Sequence, residues 1–167
     1  TRRFQPIENN PAGISPSSRI EYTEEETMPI QDLARETVVG ASPETPVAEL
    51  ARQMRDESVG SVVITNGKSP VGIVTDRDLT TRVLAQDLAP AEQTAEDVMS
   101  DNLCAVGPEA GFYEAAEVMN ENGVRRLPVC TDDNELVGII TADDLTELLA
   151  EESTHLASVI QAQRPSY

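Results

Sequence analysis

Val71-Gly-Ile-Val-Thr-Asp-Arg-Asp-Leu-Thr80 recurs 66 positions later as Val137-Gly-Ile-Ile-Thr-Ala-Asp-Asp-Leu-Thr146, identical at seven of ten positions. Each copy carries an apolar, β-branched run into Gly-x-x-Thr-x-x-Asp-Leu, the pattern of a strand that turns into a helix at the threonine. A repeat this dense marks one structural unit used twice.

Upstream the correspondence continues at an offset of 65, pairing Asp32 with Asp97, Pro43-Glu44 with Pro108-Glu109, Glu49 with Glu114, Met54 with Met119 and Val59 with Val124. One extra residue enters where Thr65-Asn-Gly-Lys-Ser-Pro70 faces Cys130-Thr-Asp-Asp-Asn-Glu-Leu136. That segment reads as a turn, where an insertion is best tolerated. Thr37 to Ala41 and Leu103 to Val106 predict short strands, closed by Ser42-Pro43 and Gly107-Pro108. Val47, Leu50, Ala51 and Met54 recur at helical spacing, as do Phe112, Ala115, Ala116 and Met119. Val62 to Ile64 and Val71 to Val74 form a strand pair joined at Asn66-Gly67, matched by Leu127 to Val129 and Val137 to Ile140.

The unit is therefore β-α-β-β-α, and the fold class α/β (α+β). Repeat 1 is expected over 28–91 and repeat 2 over 92–152, with a C-terminal helix extension and tail over 153–167. Chains of about sixty residues bury little surface alone. The two repeats are thus expected to pack sheet to sheet about a pseudo-two-fold axis, with paired clefts between them, a favoured place for ligands. Residues 1–27, with three prolines before Arg19 and the run Glu24-Glu25-Glu26, predict a flexible tail or leader ahead of Met28.

The whole chain carries 30 acidic against 12 basic residues, a formal charge of −18. Such a surface repels phosphate backbones and anionic lipid, which argues against nucleic acid or membrane partners. It suits either a halophilic protein, its self-repulsion screened by concentrated salt, or an ordinary acidic cytoplasmic one. Cys104 and Cys130, without Cys-x-x-Cys spacing, read as buried reduced thiols. His155, the single histidine, stands near Glu151 and Glu152 on a late helix and reads as part of a solvated face. No metal site and no nucleophile with a nearby base is recognised, so an enzyme is not expected.

Thr75-x-x-Asp78 and Thr141-x-x-Asp144 admit two readings. One is a capping box, in which threonine caps the helix and the acid answers it. The other is a ligand site. Capping boxes normally use Glu or Gln, whose longer side chain reaches back to the cap amide, whereas both copies here use Asp. A short carboxylate near a helix start can instead accept two hydrogen bonds from a ribose diol, while helix amides and the threonine hydroxyl meet a phosphate. Gly72 and Gly138 would let a ligand or another backbone come close.

Two such units, with Pro-Glu-x-x-Val-x-Glu-Leu-Ala after the first strand and Val124-Arg-Arg-Leu-Pro-Val129 in the second, resemble a tandem cystathionine β-synthase (CBS) domain pair, or Bateman module. The resemblance covers about Met28 to Ala150 and implies a stand-alone regulatory module, an energy or metabolite sensor. It implies binding of AMP, ADP, ATP or S-adenosylmethionine between the repeats as a regulatory ligand, with no cofactor required. Asp78 and Asp144 would hold ribose hydroxyls, and Thr75 and Thr141 would contact phosphate. Asp144 and Thr141 would share a cleft with Val39, Gly40, Val59, Gly60 and Ser61. Asp78 and Thr75 would share one with Cys104, Ala105, Val124, Arg125 and Arg126. The family often has threonine in the first strand, where this chain has Gly40 and Ala105, so one contact to the base is missing there.

Arg77, Arg125 and Arg126 all fall around the Asp78 cleft, while the matching positions of the other cleft hold Asp143, Gly60 and Ser61. The Asp78 cleft is therefore expected to take the more phosphorylated ligand and the Asp144 cleft an uncharged or weaker one. The last helix, from Leu145 to about Gln161, shows Leu148, Leu149, Leu156, Val159 and Ile160 on one face, open to core packing or to a dimer contact. The resemblance implies a homodimer, with an unidentified regulated protein as a further partner. A dimeric scaffold with vestigial nucleotide sites is the competing reading.

Overall fold

Ile30 is fully buried, yet the core it enters is that of the second repeat, not the first. This exchange organises the chain. The computed structural model describes residues 28–163. The expected tail over 1–27 and the last four residues lie outside them. In order come β1 (Gly40–Ala41), α1 (Val47–Asp56), β2 (Ser61–Asn66), β3 (Ser69–Thr75) and α2 (Asp76–Asp78), followed by α3 (Ala95–Val98), α4 (Phe112–Asn122), β4 (Arg126–Cys130), β5 (Leu136–Thr141) and α5 (Ala142–Ala162). The architecture is α+β, with small sheets.

One core gathers Val47, Leu50 and Met54 of α1 with Val62, Ile64 and Val74 of β2 and β3. The other gathers Ala115 and Met119 of α4 with Leu127, Val129, Ile140 and Leu145. The helical spacing and the strand alternation thus bury the faces they predict. The segment before each repeat crosses to its neighbour. Ala95 and Val98 of α3 pack into the first core, and Ile30, with Leu33 and Ala34 beside it, into the second.

The crossings are reciprocal. Pro29 bridges Gly111 and Pro46 bridges Thr94, while Arg35 bridges Ile139 and Ser100 bridges Ile73. Each pair becomes the other under the repeat offsets, which is the pseudo-two-fold in hydrogen-bonded form. Gly72 and Gly138 sit at these crossings. A Cβ on Gly72 would stand 2.5 Å from Met99 Sδ and 3.1 Å from Ser100 O, and one on Gly138 3.2 Å from Ala34 Cβ. The glycines admit the crossing backbone, not a ligand.

Four sequence expectations change. The first strands are shorter than expected: β1 is two residues, paired in parallel with β2, and Val106 makes only a parallel bridge to Val129. Proline follows within two residues of each and stops further pairing. The hairpin turn is Gly67-Lys68, with Asn66 paired to Ser69, so Gly67 takes the first central position at φ 65°. After α2 the helical path widens into a π-type turn over Leu79–Val83 and ends in a 3₁₀ turn at Leu84–Gln86, whereas α5 is uninterrupted α-helix for 21 residues. Cys104 is half-buried, not buried; Cys130 is buried, its thiol pushed above the ordinary value by burial.

Candidate nucleotide clefts between the repeats

Each motif does form a capping box. Asp78 Oδ2 accepts from the Thr75 amide at 2.9 Å and the Thr75 hydroxyl at 2.6 Å, and the Asp78 amide donates back to Thr75 Oγ1 at 3.2 Å. Asp144 repeats this with Thr141 at 2.9, 2.5 and 3.2 Å. Aspartate is therefore long enough to close the box, and the first of the two readings describes both motifs. The same box recurs at Thr94 and Asp97, whose carboxylate accepts from the Thr94 amide and hydroxyl at 2.8 Å each. The box itself carries no functional signal.

What separates the two motif aspartates is the second carboxylate oxygen. Asp78 Oδ1 faces Arg82 Nε at 3.3 Å. Arg82 is itself tied down, donating to Val98 O at 2.7 Å, Met99 O at 2.8 Å and Ser100 Oγ at 3.0 Å. Asp144 Oδ1 takes a forked contact from Arg35, Nε at 3.2 Å and Nη2 at 2.8 Å. A carboxylate offers about four acceptor positions. Asp144 has all four engaged, whereas Asp78 accepts hydrogen bonds on Oδ2 alone and its Oδ1 meets only the charge of Arg82. Burial works to raise the Asp144 pKa, but the Thr141 hydroxyl, Arg35 and the Thr141 amide outweigh it and hold the carboxyl below its ordinary value.

The cleft at Asp78, about 450 Å³, is lined by Thr75, Arg77 and Asp78 from repeat 1 and by Cys104, Val124, Arg125 and Arg126 from repeat 2, with Ser100 and Asn102 of the crossing segment. The cleft at Thr141, about 170 Å³, is lined by Val39, Val59, Gly60 and Ser61 with Thr141 and Asp143, and by Arg35 and Thr37 of the other crossing segment. The two linings correspond almost position for position under the repeat offsets. Ordinary ligand pockets begin near ~300 Å³, so the first has room as it stands and the second does not.

Most predicted residues therefore meet where expected, with three exceptions. Gly40 and Ala105 are exposed and line neither cleft. The linings run through Thr37, Val38 and Val39 on one side and Asn102, Leu103 and Cys104 on the other, and stop one residue short of them. Asp144 is absent from the lining of its own cleft, where Arg35 and Asp143 stand. Sequence reasoning missed Arg35, Thr37 and Asn102, which lie on the crossing segments. The offset of 65 that pairs Thr37 with Asn102 was the available signal.

Arg35 also changes the expected charge asymmetry. The Thr141 cleft has two arginines in its lining, Arg35 and Arg126, against three in the Asp78 cleft. One of those three, Arg125, is paired with Asp143 across to the other cleft at 3.0 Å. Among the described residues no group of three or more His, Cys, Asp or Glu could hold a metal ion, and no helix is long and apolar enough to cross a membrane.

The CBS domain family model matches residues 30–85 and 95–151. An uncharacterised protein of Methanopyrus kandleri is 38% identical over 120 residues, 71% of this chain and 61% of that protein. An inosine-5'-monophosphate dehydrogenase of Korarchaeum cryptofilum is 33% identical over 108 residues, 65% of this chain but only 21% of the enzyme. The chain thus spans less than two thirds of both relatives. A solved CBS domain pair, in complex with 5'-methylthioadenosine and S-adenosyl-L-methionine, superposes with a TM-score of 0.69 at 22% identity, over 75% of this chain and 98% of that one. The chain belongs to the CBS-domain family and is a CBS domain pair.

Proposed function

We propose that this chain is a regulatory, non-catalytic module that binds an adenosine derivative, AMP, ADP, ATP or S-adenosylmethionine, between its repeats. The observation that carries the reading is the Asp78 cleft. It joins a carboxylate whose Oδ1 accepts no hydrogen bond, a threonine at a helix start and three arginines, in a volume that suits a nucleoside. A ribose hydroxyl can donate to Asp78 Oδ1, and the arginines offset phosphate charge in a protein of −18. The base would stack toward Val124 and Cys104, with Asn102 supplying a polar contact in place of the threonine the family often has. The family and the shared fold of a pair solved with adenosine compounds support the ligand class; the cleft chemistry supports the site.

The Thr141 cleft is the secondary site, closed by the Arg35–Asp144 fork until a ligand displaces it. Thermal shift with AMP, ATP and S-adenosylmethionine tests the reading. Ligand at a hundredfold over its Kd stabilises by about 2.7 kcal/mol. The midpoint should rise by several degrees, and Asp78→Ala should cut the rise to what the weaker Thr141 cleft supplies. No rise with any adenosine compound refutes it.

A scaffold role has its own observation. Leu149, Leu156, Val159 and Ile160 of α5 are all more than half exposed, an apolar face at odds with a core role. A second copy of the chain covering this face gives a homodimer, and it serves the sensor reading equally, since occupancy can then be passed to a partner protein.

A further inference from the structure

Arg126 lines both clefts. It opens β4, paired with Thr141, and its guanidinium reaches back over Gly60, where a Cβ would lie 3.0 Å from Nη2. Its counterpart in repeat 1 is Ser61, so nothing on the other side duplicates it. The remaining cleft cations differ from it. Arg35 is held by Asp144 and Arg125 by Asp143, whereas among the described residues Arg126 has neither an ion pair nor a side-chain hydrogen bond. Arg77 lines the Asp78 cleft alone. A half-buried, uncommitted cation therefore stands in the wall between two sites, in a chain whose net charge makes cations scarce.

We infer that Arg126 is a specificity-determining residue shared by the two clefts, so that anionic ligands in them compete for one guanidinium and antagonise each other. The inference rests on the proposed nucleotide reading and adds its regulation. A phosphate in the Asp78 cleft draws the side chain to that side. The Thr141 cleft is then left with Arg35, which Asp144 already holds. By reciprocity, an anion in the Thr141 cleft weakens the Asp78 cleft by the same factor. A neutral nucleoside makes no such demand and leaves the other site unchanged. Gly60 is the enabling residue, because without a Cβ the guanidinium can lie against its backbone.

Direct repulsion between two phosphates would also couple the clefts, but with the opposite response to mutation. Removing Arg126 takes away a screening cation and would deepen repulsion, whereas it abolishes competition for that cation.

The test is calorimetric titration of the whole chain with AMP and with adenosine, for wild type, Arg126→Ala and Gly60→Ala. Wild type should show two AMP sites whose affinities separate by more than about fivefold beyond their separation for adenosine, the lower end of ordinary coupling. Arg126→Ala should weaken the tight AMP site and bring the two into the ratio seen with adenosine. Gly60→Ala should push the flexible guanidinium off the Thr141 side, weakening AMP there while sparing the Asp78 site and the fold. Two AMP sites whose coupling is unchanged or deepened in Arg126→Ala overturn the shared cation and leave the nucleotide reading standing. Heat from neither AMP nor adenosine overturns both.

Discussion

Arg35 Nη2 lies 2.8 Å from Asp144 Oδ1, joining the segment that leads into repeat 1 to the motif aspartate of repeat 2. The guanidinium side chain is 63% exposed and the carboxylate 11%, so the arginine covers the acid from the solvent side. One contact thereby ties the two repeats together and fills the acceptor positions that a ribose would need.

The pairing fixes a pH dependence. Asp144 is held below its ordinary pKa in the folded chain, so the unfolded chain binds the proton more readily. Its contribution is full above the unfolded value, near pH ~4, and is lost as pH falls through the lower folded value. Asp97 acts in the same direction through its Thr94 hydrogen bonds. Acid titration followed by circular dichroism should show a shallower loss of stability for Asp144→Asn than for wild type in that acid window.

Removing Arg35 should open the Thr141 cleft. Arg35→Ala frees two acceptor positions on Asp144, and adenosine should gain affinity there, read by the same calorimetry. The stability cost should stay within about 1 kcal/mol, because the exposed guanidinium is screened by water.

The third capping box separates structural from ligand roles. Thr75→Ala and Thr94→Ala should each lose about 1 kcal/mol of stability. Only Thr75→Ala should weaken AMP binding, since Thr94 and Asp97 line neither cleft. Equal binding by both variants would show that the motif threonine is a cap and no more.

Crossing backbones make Gly72 intolerant. Gly72→Ala must move both the Met99 side chain and the Ser100 carbonyl, and should cost about 1–3 kcal/mol, as overpacking does. Gly138→Ala, whose nearest atom is a methyl at 3.2 Å, should cost less. Denaturant midpoints of the two variants measure the difference.

Self-association through α5 is tested by Leu156→Glu combined with Ile160→Glu. Both side chains are more than 60% exposed, so folding should survive while sedimentation shows a shift to monomer. A wild-type chain that already sediments as a monomer refutes the dimer.

The repeat made much of this fold readable. Val47, Leu50 and Met54, and Ala115 and Met119, fall on buried helix faces because a 3.6-residue period leaves little choice of side, and the strand pairs follow from alternation. The paired clefts were legible because identical phrases at a fixed offset must occupy symmetry-related places. Legibility failed wherever the answer lay in which repeat a segment joins. Ile30 and Ala95 look the same to a periodicity argument whether they stay or cross. The capping boxes and the Asp78–Arg82 pair, four residues apart on one helical turn, were there to read, but no spacing could tell that Asp144 answers Arg35.

Local chemistry along the chain thus determined the elements, their duplication and the residue types available at each helix start, since these depend on neighbours a few positions away. Tertiary structure alone decided that Arg35 reaches Asp144 and that Arg126 stands between two clefts. Arg35 stands on a crossing segment whose course is set by packing, so it finds its carboxylate by proximity in space and not by distance in sequence.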